Sequence, residues 1–226
     1  YDAMLDVPTN TSATVANYAT WNPLLFYSTT VPTITNGNLT AGWNNTSMFC
    51  GSTMTCSSTG KTYAEFTLTT ANTTRIGIKD ITDQSQYNGG YTYVANTGTI
   101  RNTSDTTVQT VATSTNGDII GIAVDLSANT IQFYKNNTAI GTAVTIANSS
   151  NWAFWVGQNG SGSAIQVDAN FGQRPFSYTP PTGFVALNTF NLPTPTILQG
   201  NKYMDATLWT GNGSAQTIVN QGQFKS

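Results

Sequence analysis

Histidine is absent from this chain, glutamate occurs once, at Glu65, and charged residues make up only 8% of 226 positions. Without histidine there is no Ser-His-Asp or Cys-His constellation and no ordinary general base. A structural zinc site would draw on Cys50 and Cys56 alone for soft ligands, too few for a tetrahedral set. Eight lysines and arginines against ten acidic residues leave a net charge of −2, so the basic footprint of a nucleic-acid-binding protein is missing. No apolar run approaches the ~20 residues of a membrane-crossing helix, and no charged-then-apolar leader opens the sequence. Calcium-loop and phosphate-cradling glycine patterns are missing too. These absences lead to an expectation of no cofactor, no nucleic-acid partner and no membrane insertion.

Thr, Asn, Ser, Gln and Gly take the place of charge. They hydrogen-bond in both directions and give little electrostatic steering, which suits an extracellular or virion surface that meets variable salt. Sequons such as Asn72-Thr73-Thr74 and Asn102-Thr103-Ser104 follow from that composition. In "MFCGSTMTCSSTG" five residues separate Cys50 from Cys56, and two readings stand: a small disulfide-closed loop, or two strand-borne thiols facing a core.

The most ordered pattern is "GDIIGIAVDLSANTIQFYKNNTAIGTAV", Gly117 to Val144. Ile120, Ile122, Val124 and Leu126 alternate, Ile131 and Phe133 repeat the period, and Ile140 resumes it after a turn at Lys135-Asn136-Asn137-Thr138. This reads as a three-strand meander. Further extended segments are expected at Tyr63 to Thr69, Arg75 to Asp80, Tyr91 to Ala95, Val108 to Val111, Trp152 to Gly157 and Ile165 to Phe171, and no segment holds helical periodicity for three turns. The expected fold is an all-β antiparallel sandwich of two sheets. Three regions are expected: an extended, Pro-bearing arm at 1–35, the sandwich at 36–190, and at 191–226 a linker with the start of a further β module or an assembly tail. The tail shows strand, turn and strand signals without a closing strand, so the chain is expected to be part of a longer protein or to pair with another subunit.

Four stretches in order resemble the SPRY domain: "GKTYAEF" (Gly60 to Phe66), "RIGIKD" (Arg75 to Asp80), "GDIIGIAVDLSANTIQFYKNNTAIG" (Gly117 to Gly141), and "VDANFGQRPFSYTPPTGFVALNT" (Val167 to Thr189). The chain departs from the pattern at Asn137, where the family has Gly; Asn tolerates the left-handed conformation, so the turn is expected to survive. The flanks "DVPTN", "WNPL" and "NLPTPTILQGNKYMDATLWTGNG" resemble the borders of SPRY-like modules in large structural proteins of tailed phages. The resemblance implies a concanavalin-like sandwich whose loops at one end bind partners, with the meander as scaffold.

"DITDQSQYNGGYTYVANTGTIRNTSDTT", Asp80 to Thr107, is the most distinctive loop candidate. Gln84, Gln86, Tyr87, Asn88, Tyr91, Tyr93 and Arg101 combine aromatic faces with hydrogen-bonding groups, a mixture that grips sugars or protein surfaces. A competing reading packs Tyr91 and Tyr93 on the sheet. Asn148 and Asn151, with Gln158 and Asn159 of "GQNGSGSA", are a second candidate cluster or a plain connector. Trp152, Phe154 and Trp155 read as core or as a platform. Arg174 either pairs with Asp168 or covers the sheet with its stem. Asp80 and Asp83 suit turn capping, and a glycan-cleaving carboxylate pair is the remaining alternative.

Together these features imply a non-enzymatic virion module, of tail-fibre or head-fibre type, that binds a host cell-surface glycan or protein through its loops. The alternative is a purely structural virion or filament subunit locked to other virion subunits or to copies of itself by its extended ends.

Overall fold

The structure, a computed structural model, describes residues 11–27, 32–44, 49–56, 60–83, 85, 87–149, 151–158, 160, 163–193 and 208–217. Fifteen strands and no helix occur among the described residues: β1 (Trp21–Tyr27), β2 (Thr33–Thr35), β3 (Thr40–Trp43), β4 (Phe49–Thr55), β5 (Lys61–Thr70), β6 (Thr74–Asp80), β7 (Gly90–Val94), β8 (Thr99–Arg101), β9 (Thr107–Thr110), β10 (Ile119–Asp125), β11 (Thr130–Lys135), β12 (Thr138–Thr145), β13 (Trp152–Gln158), β14 (Ile165–Asn170) and β15 (Val185–Ala186). They form two sheets. Sheet A has the order β1-β4-β13-β6-β7-β8-β9; sheet B runs β12-β11-β10-β5-β14-β3-β2, with β15 added in parallel to β5. All other pairings are antiparallel, as the expected sandwich requires. The first compact unit ends at Leu192; residues 193–226 form a second, whose described part carries a turn at Gly213 with Ser214 N donating to Asn212 Oδ1.

Alternation places the core. On β10, Ile120, Ile122 and Val124 face inward and pair with Lys135, Phe133 and Ile131 of β11. The β11–β12 turn carries Asn136 at φ 47° and Asn137 at φ 69°, two successive left-handed residues that match the twist of a two-residue hairpin, so Asn137 does the work of the expected glycine. Between the sheets the aromatic residues interlock around Phe66, whose ring centroid lies 5.6 Å from Trp21, 5.6 Å from Phe154 and 5.7 Å from Phe171. Burying each ring contributes on the order of 2 kcal/mol.

Two strands lie in the segment read as an arm. Trp21–Tyr27 pairs with β4 despite Pro23 because it is an edge strand with a register shift between Trp21 and Phe26. Two further edges, β9 and β12, are joined by one side chain: the Gln109 amide donates to Thr142 O (2.9 Å) and accepts from Thr142 N (2.9 Å), mimicking a backbone partner.

A disulfide between Cys50 and Cys56 is not formed; both thiols are free and buried between the sheets. Cys50 lies within β4 and Cys56 just beyond it, and six residues of extended chain separate their Cα atoms by about 20 Å, far beyond the ~7 Å a disulfide spans. Burial pushes each thiol pKa up to about 12, so both are inert.

Candidate functional site

The central strands of sheet A, β6, β7 and β13, bury both of their faces. The inner face carries Ile76, Ile78, Tyr91, Tyr93, Phe154 and Val156 into the core. Strand alternation sends their neighbours outward, and those neighbours are Arg75, Gly77 and Lys79 on β6, Trp155 on β13 and Phe49 on β4. Arg75 is 0%, Lys79 3% and Trp155 2% exposed, so loops seal a second layer over the sheet.

The layer alternates cations with rings. Lys79 Nζ sits 5.0 Å from the Phe49 centroid, Phe49 meets Trp155 edge-on at 5.7 Å, and the Arg75 guanidinium lies 6.0 Å from Trp155 and 5.0 Å from Tyr87. Each such contact is worth about 0.5–2 kcal/mol. Gly77 makes this possible. It pairs with Trp155 on one side and Thr92 on the other, and a Cβ there would run into the backbone of Tyr91 and Thr92. Leu25 closes the β1 side by lying over Gly51, where a Cβ would sit 2.6 Å from Leu25 Cδ2. Leu25, Phe49, Lys79, Asp83 and Trp155 line a small hollow here.

Carboxylates arrive from turns. Asp105, held at φ 58° in a turn whose Ser104 and Thr106 amides donate to Asn102 Oδ1, accepts from Arg75 Nη2 and lies 3.2 Å from Arg101 Nη1. Arg75 also donates to Thr92 Oγ1 at 3.2 Å. Lys79 Nζ donates to Asn88 O and lies 3.8 Å from Asp83. Burial holds the pKa of Arg75 and of Lys79 below the ordinary values, and the adjacent Asp105 and Asp83 oppose that shift. Burial also leaves donors without acceptors: among the described residues Arg75 Nε and Nη1, Arg101 Nε and Trp155 Nε1 have no hydrogen-bond partner.

The Asp80 to Thr107 stretch is not one loop, since β7 and β8 interrupt it. Tyr87, Asn88 and Arg101 come together at the outer layer. Tyr91 and Tyr93 instead face inward: Tyr91 lies edge-on to Trp152 at 5.6 Å and its hydroxyl accepts from Ala147 N, while the Tyr93 hydroxyl donates to Ala112 O at 2.8 Å. Gln158 is also buried at the end of β13, where it donates to Ser163 O, and is no surface group. Tyr91, Tyr93 and Gln158 therefore belong to the sheets and not to the expected loops, because strand alternation turns them inward. Asn148 is exposed, and Asn151 N donates to Ser149 Oγ. Gln84, Gln86 and Asn159 lie outside the described residues. Asp80 accepts from Thr82 N at 2.9 Å and Asp83 from Ser85 N at 2.7 Å, both in turn caps. Arg174 is exposed, and Asp168 accepts from Thr40 and Thr69 hydroxyls instead. Trp152 and Phe154 are core, whereas Trp155 points to the outer layer.

The SPRY domain family model matches residues 26–173, the span that contains both sheets' central strands and Arg75, Lys79, Tyr87, Asp105 and Trp155 of the outer layer. The chain belongs to the SPRY domain family. Among solved structures, this SPRY domain is similar to the SPRY domain of human HERC1, with a TM-score of 0.60 at 17% identity over 69% of this chain and 99% of that one. It is also similar to a second human SPRY domain, with a TM-score of 0.50 at 16% identity over 63% and 96%. Stonustoxin gives a TM-score of 0.54 at 15% identity over 68% of this chain and 27% of that chain. At these identities the likeness is one of fold. No curated protein sequence matches the chain significantly.

Arg75, Lys79, Phe49 and Asp105 do not stand out as site residues in the sequence. A signal existed in "RIGIKD": two cations alternate with two isoleucines, so one face of a central strand is cationic. What covers that face comes from turns further along the chain, with Asp83 and Asn88 four and nine residues beyond Lys79 and Asp105 thirty beyond Arg75, and the strand's own period does not carry them.

Proposed function

We propose that this SPRY domain is a non-catalytic recognition module in a phage virion appendage and that it binds a host-surface protein or glycan through the loops bordering the outer face of sheet A. The observation that carries the reading is the outer layer itself: buried cations and aromatic residues with unused N–H donors, framed by turns at 80–83, 87–89 and 101–106. Unused buried donors are costly to a fold and useful to a ligand that brings acceptors. The family supports a binding role, since SPRY domains are generally protein-interaction modules. The weakly charged, hydroxyl- and amide-rich surface and the phage-like flanking sequences support the virion setting. Asp80 and Asp83 are engaged in turn caps, which weighs against their use as a glycan-cleaving pair.

Fluorescent full-length chain applied to a panel of intact bacteria tests this. Binding to some strains, abolished by protease or periodate treatment of the cells and weakened by Asn88→Arg, is the expected result. Undiminished binding of the variant, or binding to no strain, contradicts it.

A second reading, a purely structural virion subunit assembled through its ends, draws on Leu208 and Trp209, which are exposed apolar residues in the unit that follows Leu192. Light scattering on the full chain decides between them: a closed oligomer favours assembly, a monomer favours the recognition module.

A further inference from the structure

Arg75 and Arg101 share a single carboxylate, that of Asp105. Two guanidiniums against one carboxylate leave a local surplus of one positive charge, and Asp83 does not relieve it, because that carboxylate lies against the Lys79 ammonium. The same pair holds three of the unpartnered buried donors, Arg75 Nε, Arg75 Nη1 and Arg101 Nε, with Trp155 Nε1 nearby as a fourth. An ionised carboxylate offers about four acceptor sites and one negative charge, which is what the pair lacks.

We propose that the Arg75–Arg101 pair receives the carboxylate of one Asp or Glu side chain from a bound protein, and that the Tyr87 ring is the cover which this side chain displaces. The proposal rests on the reading of this face as the binding surface and names the chemistry of its ligand. In the free protein the Tyr87 ring lies 5.0 Å over the Arg75 guanidinium, a partial substitute for a counter-ion. Of the contacts that hold the ring, the hydroxyl accepts a long, 3.3 Å hydrogen bond from Gly160 N. Once the ring turns aside, the carboxylate enters beside Asp105 and pairs with both guanidiniums. A slender acidic side chain suits this entry better than a sugar. Sugars stack on open aromatic faces, while Trp155 is only 2% exposed and the Tyr87 face is occupied by Arg75.

A random-peptide display library selected on the immobilised full chain supplies the probes, and enriched peptides are titrated calorimetrically against wild type, Arg101→Gln and Tyr87→Ala. The expected result is a shared Asp or Glu in the enriched peptides. Its replacement by the amide and the Arg101→Gln change should each weaken binding by about tenfold or more, with the two losses not additive, and Tyr87→Ala should tighten binding. If Arg101→Gln does not fold by thermal melting, the acid-to-amide peptides carry the test alone. Peptides whose affinity responds to Tyr87→Ala but not to loss of their acid overturn the carboxylate assignment and leave the binding face standing. Peptides indifferent to all these changes overturn both. Arg101-dependent binding of oligogalacturonate with no acidic peptide enriched overturns the protein partner in favour of an acidic glycan.

Discussion

The inner core of the sandwich and the outer layer of sheet A are buried alike and built on opposite principles. Inside, Trp21, Phe66, Phe154 and Phe171 meet ring to ring, and alternation along the strands is enough to put them there. Outside, Arg75, Lys79, Trp155 and Phe49 are covered by turns and single side chains, with donors left over. A core closed by sheets is stability alone. A layer closed by turns can be opened, and what it holds can be used.

The inner side of the comparison should break hardest. Phe154→Ala removes a ring that contacts both Phe66 and Phe171, and the cavity should cost about 3–5 kcal/mol in urea unfolding at neutral pH. Asp105→Asn strikes the outer layer and leaves Arg75 and Arg101 without their shared counter-charge; because Asp105 is a quarter exposed, the loss should be smaller, about 1–3 kcal/mol by the same measurement. Equal losses would erase the distinction.

Acid should wear on both layers. Burial alone would raise the pKa of Asp125, but hydrogen bonds from Ser127 and Ala128 and the Lys61 ammonium outweigh it and hold the carboxyl below its ordinary value. Asp118, against Thr115, Asn136 and Lys135, and Asp83, against Ser85 and Lys79, are lowered in the same way. A carboxyl with a depressed folded pKa contributes stability that is complete above about pH 4 and is lost as pH falls through the folded value. The melting temperature should therefore drop below about pH 4, less steeply in Asp118→Asn combined with Asp125→Asn. The smallest effect is expected at the meander turn: Asn137→Gly should stabilise by about 0.5 kcal/mol, with peptide binding unchanged.

The sequence carried the scaffold well. Ile120, Ile122, Val124, Ile131 and Phe133 announce their face by period two, and Asn136-Asn137 announces the turn, since both facts are local. β1 and β2 were harder, because Pro23 and the register shift after Trp21 interrupt the alternation of an edge strand. The site was half legible. Tyr87, Asn88 and Arg101 stood out by residue type, but Tyr91 and Tyr93 shared that type and turned inward, and Arg75 met Asp105 only through a turn thirty residues on. The thiols make the same point, because the spacing of Cys50 and Cys56 fits a loop until an extended strand separates them.

Amide hydrogen exchange on the full-length chain tests the central claim, that the outer layer is a removable cover and the inner core is not. The amides of Gly89, which donates to Thr103 O, and of Asp105, which donates to Asn102 O, should exchange through local opening at a free energy well below that of global unfolding. The β6–β13 ladder around Ile78 and Phe154 should exchange only with the whole unit. Protection of Gly89 and Asp105 equal to that ladder would contradict the account and make the outer layer a second structural core.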